Sequence, residues 1–194
     1  MERRFDPRAI DSVGFSVAYH RAMPKEYGLI ATEAAVSAHI EALDLDLDAS
    51  AAVSSVYRAA NAVRNYITNT VLRPNDLSWT GWVVMWVVWI FDGLESRHAA
   101  ESAAISKGTL TGVVKTLEEH GWMRRRPDTG DRRLLHLELT PAGIRMMEKL
   151  APEFNAAEAR VVASLGGRTV ATMRSGLRGM VAAVEALEDE EPGG

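Results

Sequence analysis

The chain has 194 residues, 47% of them apolar, no cysteine and a formal charge of −4 at pH 7. That much apolar material can fill the core of one compact domain or two small lobes, which argues against disorder throughout. The missing thiols remove disulfides, thiolate zinc sites and iron–sulfur ligation, and they fit a reducing compartment, so a cytoplasmic location is expected.

The start, Met1-Glu2-Arg3-Arg4-Phe5-Asp6-Pro7, has no apolar stretch behind it and does not read as a signal peptide. Residues 8–22 and 31–43 read as short helices separated by Pro24 and Gly28. Residues 44–50 make a polar link in which Asp48 or Ser50 caps the next helix. From 51 to 72, Val53, Val56, Tyr57, Ala60, Val63, Ile67 and Val71 recur at steps of three and four, the mark of a long amphipathic helix. It stops at the Pro-led turn Arg73-Pro74-Asn75-Asp76. Ser78 opens a helix from Trp79 to about Asp92 that is apolar nearly all round and therefore buried on several sides. Its unbroken apolar run, Trp82 to Phe91, has ten residues, about half of the ~20 needed to cross a bilayer. No membrane span is expected.

A two-turn helix over 97–103 leads through Ala104-Ile105 to a helix capped by Ser106 and running to about His120, with Gly121 as its left-handed terminator. Leu110, Val113, Val114 and Leu117 point inward. Residues 122–126 and 133–139 read as two strands flanking the Gly-containing turn 127–132, a β-hairpin. Thr140 caps a helix with Pro141 in its first turn, running to about Leu165, and Gly166-Gly167 precedes a last amphipathic helix over 170–187.

The charge is unevenly placed. Residues 97–133 hold eight Lys/Arg against five Asp/Glu, a local +3 that leaves −7 on the remainder. An acidic chain that concentrates cations on one helix and hairpin is suited to a directed contact with nucleic acid rather than to non-specific adhesion. A helix entering a major groove needs small, hydrogen-bonding or cationic residues outward. The outer face of 106–120 supplies them: Lys107 and Lys115 for phosphates, Ser106, Thr109 and Thr111 for hydrogen bonds, Gly108 and Gly112 for close approach. On the hairpin, Arg132 and Arg133 sit where a guanidinium could enter a narrow minor groove, Arg124, Arg125 and Arg126 lie on the strand passing the backbone, and Asp131 orients the arginine fork.

Asp131-Arg132-Arg133, followed by Leu139-Thr140-Pro141-Ala142-Gly143, resembles the wing signature of MarR-type winged helix-turn-helix repressors. Ser106 to Trp122 is similar to their recognition helix and its Gly-ended exit, and the resemblance covers about residues 50–188. It implies a mainly α fold with a small β-hairpin wing: a winged helix-turn-helix DNA-binding lobe at 75–140, a helical dimerisation region at 46–74 and 141–190, and an N-terminal helical extension at 1–45. It further implies a homodimer on a pseudo-palindromic operator in double-stranded DNA.

The resemblance also implies release by a small aromatic acid or phenol. Trp79, Trp82 and Trp86 on one helix face, with Tyr57, Arg64 or Asn65 and His20 nearby, are the candidate ligand-binding residues, against plain core packing of the tryptophans. No cofactor or metal is expected. An enzyme built on His98 with Glu101, or His136 with Glu138, lacks any catalytic fingerprint around it. A helical protein–protein adaptor stays open as an alternative.

Overall fold

The computed structural model describes residues 45–128, 130 and 134–190. The helices expected over 8–22 and 31–43 lie outside the described residues. The chain divides into two compact units, 1–62 and 63–194, and the long helix α1 (Leu47–Ile67) runs through the division. This helix starts earlier than expected. Asp46 is its cap, its Oδ1 accepting the Ala49 N–H at 2.9 Å, and Asp48 lies in the first turn, where a carboxylate complements the helix dipole.

The regular helix expected to reach 72 ends at Ile67. It widens into a π-helical turn, Thr68–Leu72, and tightens into a 3₁₀ turn, Arg73–Asn75. Pro74 has no N–H to give, and side chains satisfy nearby carbonyls instead: Thr70 Oγ1 donates to Tyr66 O at 2.8 Å and Asn75 Nδ2 to Val71 O at 2.8 Å.

Helix α2 (Trp79–Ile90) opens as expected, with Ser78 Oγ accepting the Gly81 N–H at 3.0 Å. Its residues Trp82, Val84, Met85 and Val88 are buried in the second unit's core. Next come the two-residue strand β1 (Leu94–Glu95), α3 (Ser96–Ser102), α4 (Lys107–Glu119), β2 (Met123–Pro127) and β3 (Leu135–Leu139). The expected hairpin is thus part of a three-stranded antiparallel sheet in the order β1-β3-β2. Leu94 pairs with Leu137 and Glu95 with His136. Two residues carry no detectable periodicity, so β1 had no sequence signal.

Helix α5 (Pro141–Val162) starts on Thr140, whose Oγ1 accepts the Gly143 N–H at 3.1 Å. Trp122, expected within the first strand of the hairpin, precedes β2, and its carbonyl accepts the Thr140 N–H at 3.0 Å, tying the start of β2 to the start of α5. A Cβ on Gly143 would collide with that same Trp122 carbonyl. Glycine is therefore required where helix and backbone meet. Helix α6 (Gly167–Glu190) takes in Gly167 and buries none of its residues. Among the described residues, no helix is long and apolar enough to cross a membrane.

The core of the second unit joins α2, α4, the sheet and α5 through Trp82, Met85, Val88, Leu110, Leu117, Leu137, Met147 and Leu150. Each of these side chains contributes about 1.5–3 kcal/mol when fully buried. The core fixes the floor on which α4 and the wing stand.

Candidate nucleic-acid interface

Helices α3 and α4 are joined by a tight turn. Ala104 adopts φ 51°, and the Ile105 N–H reaches back to Ala100 O at 3.0 Å. Ser106 then caps α4, its Oγ 3.1 Å from the Thr109 N–H and 2.9 Å from Thr109 Oγ1. Leu110, Val114 and Leu117 are buried beneath the helix and Val113 is half-buried. This leaves Ser106, Lys107, Gly108, Thr109, Thr111, Gly112 and Lys115 together on the exposed side, the surface expected of them.

The hydroxyls are not equivalent. Thr111 Oγ1 donates to Lys107 O at 2.9 Å, so its proton is used within the helix and only its lone pairs and methyl face outward. A base amino group or a thymine methyl suits that presentation. Lys115 lies 3.9 Å from Glu119 one turn on, with both side chains highly exposed. Such a pair is weak and leaves the ammonium available to phosphate.

The wing begins where Gly121, at φ 71°, ends α4 and turns the chain into β2. Thr140 Oγ1 donates to the Gly121 carbonyl at 2.6 Å and pins this exit. In β2 the alternation of a strand separates the three arginines. Arg124 and Arg126 share one face and one partner, Glu138 of β3. Arg124 Nη2 lies 2.8 Å and Nε 3.1 Å from Oε2, and Arg126 Nε lies 2.5 Å from Oε1. The hydrogen bonds from Arg126 and then Arg124 hold the Glu138 carboxyl below its usual pKa of 4.5.

Arg125 points to the other face, where Nη1 lies 3.0 Å from Glu118 Oε2. The three arginines thus face two carboxylates, and one unit of positive charge is in surplus. Each of the three arginines expected at the DNA is ion-paired within the lobe, so a phosphate would compete with these carboxylates for them.

Near the hairpin turn, Asp128 Oδ2 lies 3.0 Å from His136 Nε2 and its Oδ1 accepts the Gly130 N–H at 2.7 Å. Asp131, Arg132 and Arg133 lie outside the described residues. Sequence reasoning missed Glu118 and Glu138 as partners of the arginines. Alternation in Leu135-His136-Leu137-Glu138-Leu139 places His136 and Glu138 on one face, but their cross-strand partners depend on a register that the long turn conceals. The structure shows Arg124 opposite Glu138 and Arg126 opposite His136.

The candidate ligand residues are only partly brought together. The Arg64 guanidinium stands 5.9 Å over the Trp79 ring, a cation–π arrangement. Trp82 is 4% exposed and stacked on Phe154, with centroids 4.6 Å apart, so its ring is core. Trp86 leans on Trp82 and is 40% exposed; Asn65 is half-buried. Tyr57 belongs to the first unit and is exposed, and His20 lies outside the described residues. The histidine pairs considered for catalysis have other partners: His98 meets Arg97 at 3.2 Å, His136 meets Asp128, and Glu138 meets the arginines.

Comparison with known proteins agrees with this geometry. Residues 77–135, from just before α2 to the first residue of β3, match the MarR family model. The chain is 36% identical over 121 residues to the uncharacterised HTH-type transcriptional regulator YwaE of Bacillus subtilis (strain 168), covering 62% of this chain and 71% of that one. A mutant MarR from E. coli complexed with operator DNA has a similar fold, with a TM-score of 0.64 at 18% identity over 71% of this chain and 98% of the other. BpsR of Bordetella bronchiseptica, described with regulation of its DNA binding by 6-hydroxynicotinic acid, gives a TM-score of 0.62 at 20% identity over 67% and 98%. With its capped α4, its three-stranded winged sheet, the family-model match and the 36% identical YwaE, the chain belongs to the MarR family and is a winged-helix DNA-binding transcription regulator.

Proposed function

We propose that this regulator binds a pseudo-palindromic operator as a homodimer in the cytoplasm, acting as a repressor and not as an enzyme. The observation that carries the reading is the joint presentation of the α4 face, Lys107 to Lys115, beside a basic wing built on β2 and β3. Two such lobes related by a twofold axis would meet half-sites about one helical turn apart. Support for the dimer comes from α6, whose Met173, Leu177, Met180, Val181, Val184 and Leu187 all remain exposed. Helices unable to bury their apolar stripe within one chain are suited to a twofold partner. On this reading residues 46–74 and 141–190 dimerise, 75–140 form the DNA-binding lobe, and 1–45 are an extension of the dimerisation region.

The proposed effector is a small aromatic acid or phenol, held near Arg64, Asn65, Trp79 and Trp86, with Tyr57 and His20 as further candidates. The Arg64–Trp79 pair supports it, since a guanidinium beside an aromatic face suits an aromatic carboxylate. BpsR, with its aromatic acid effector, makes the same ligand class reasonable here. Tryptophan fluorescence titration with salicylate and with 6-hydroxynicotinic acid tests this. A saturable change accompanied by weaker operator binding is expected, and a flat signal with unchanged DNA affinity rejects the effector. The DNA reading is tested separately by salt: log affinity for duplex should fall linearly with log salt, as counterion release requires. A salt-independent interaction with a protein partner would favour an adaptor instead.

A further inference from the structure

Arg125 differs from Arg124 and Arg126 in the face it occupies and in its partners. Strand alternation turns it towards α4, away from the face of Arg124 and Arg126. Its backbone N–H donates to Glu118 Oε1 at 3.2 Å, its Nη1 lies 3.0 Å from Glu118 Oε2, and its Nη2 donates to Thr111 O at 3.3 Å. Glu118 lies in the last turn of α4 and Thr111 seven residues earlier, about 10 Å along the axis at 1.5 Å per residue. One guanidinium therefore grips the recognition helix at two levels while its own strand forms the wing. Arg125 and Glu118 are each about one-third exposed, so their charge-assisted bonds are partly shielded from solvent.

The covalent link between α4 and β2 is the short exit through Gly121, in the left-handed conformation and pinned by Thr140 Oγ1, and the Arg125 contacts add a second tie farther along both elements. We propose that Glu118 and Arg125 are positioning residues, a strut that sets the angle between recognition helix and wing so that both reach their grooves in one register. The proposal rests on the DNA-reading function proposed above. Thr111, whose outward methyl and lone pairs face the base edges on that reading, is held through its carbonyl by the same guanidinium. Loss of the strut should then cost sequence preference while leaving the phosphate contacts in place.

The test uses the full chain, a duplex enriched by it from a random-sequence pool, and a scrambled duplex of equal length. Glu118→Gln keeps the shape but loses the charge; Arg125→Lys keeps the charge but loses the fork. Each is expected to lower the ratio of affinities, enriched over scrambled, about tenfold, with scrambled binding not weakened and the salt slope not flattened. Thermal melting verifies that both variants remain folded, and Arg125→Gln provides the opposing case. If Arg125→Gln weakens both duplexes equally and flattens the salt slope by about one unit, Arg125 is a phosphate contact and the strut is overturned. A preference untouched by all three variants overturns it too. A pool that yields no enriched sequence defeats the DNA reading itself, and the strut with it.

Discussion

Glu138 accepts hydrogen bonds from both Arg124 and Arg126 while only one-fifth exposed, so a single carboxylate restrains two of the wing's cations. Two consequences can be measured. A group whose folded pKa is depressed contributes stability above its ordinary value, and that contribution is lost as pH falls through the folded value. The melting temperature of the parent chain should therefore exceed that of Glu138→Gln at pH 6, and the gap should close on acidification below about 4.5, the ordinary value for this group. A gap that widens on acidification would contradict the pairing. The same variant releases Arg124 and Arg126 to phosphate, so binding to random duplex should tighten about threefold to tenfold and the log affinity–log salt slope should steepen by up to about one unit. The arginines were plain in the sequence. Their partners were not, because an ion pair between strands is a property of register, and the register here is fixed across a turn of several residues.

At the scale of elements, most of what positions the interface was legible. Ser78, Ser106 and Thr140 each precede an apolar periodic run, and each caps a helix in the structure. Gly121 reads as a terminator and has the positive φ of one. What escaped was short or depended on tertiary contact. β1 exists because Leu94 and Glu95 find β3, and the π turn at Thr68–Leu72 lies beneath a pattern that continues at helical spacing. The Leu-Thr-Pro-Ala-Gly string also acquires a cause. Thr140 caps α5 and holds Gly121 O, while Gly143 lets the first turn of α5 lie against the Trp122 carbonyl. Gly143→Ala forces that backbone apart and should destabilise the lobe by about 3 kcal/mol or more, read as a lower denaturation midpoint with helix content retained. An alanine variant as stable as the parent would show that the contact is not tight.

At the scale of the whole molecule, the described chain combines a well-packed lobe with a terminal helix that buries nothing. Val181 is 59% exposed and Leu187 62% exposed on α6, a costly arrangement for an isolated chain in water. If this stripe is the dimer seam, Val181→Asp places a charge in it on both subunits and should raise the dimer dissociation constant roughly a hundredfold or more. Sedimentation would then show monomers at concentrations where the parent is dimeric, and affinity for a two-half-site duplex would fall with it. An unchanged sedimentation profile would remove α6 from the interface. The amphipathic period of this helix was legible in the sequence, but its partner was not, since periodicity shows that a face must be covered without showing what covers it.

The most direct test of sequence-specific DNA recognition by α4 and the wing is fluorescence anisotropy of the full chain on duplexes selected from a random-sequence pool. The expected winner has two inverted half-sites about 10 base pairs apart, bound at least about a thousandfold more tightly than its scrambled counterpart, with both affinities falling steeply as salt rises. Equal affinity for selected and scrambled duplexes would contradict recognition by this surface.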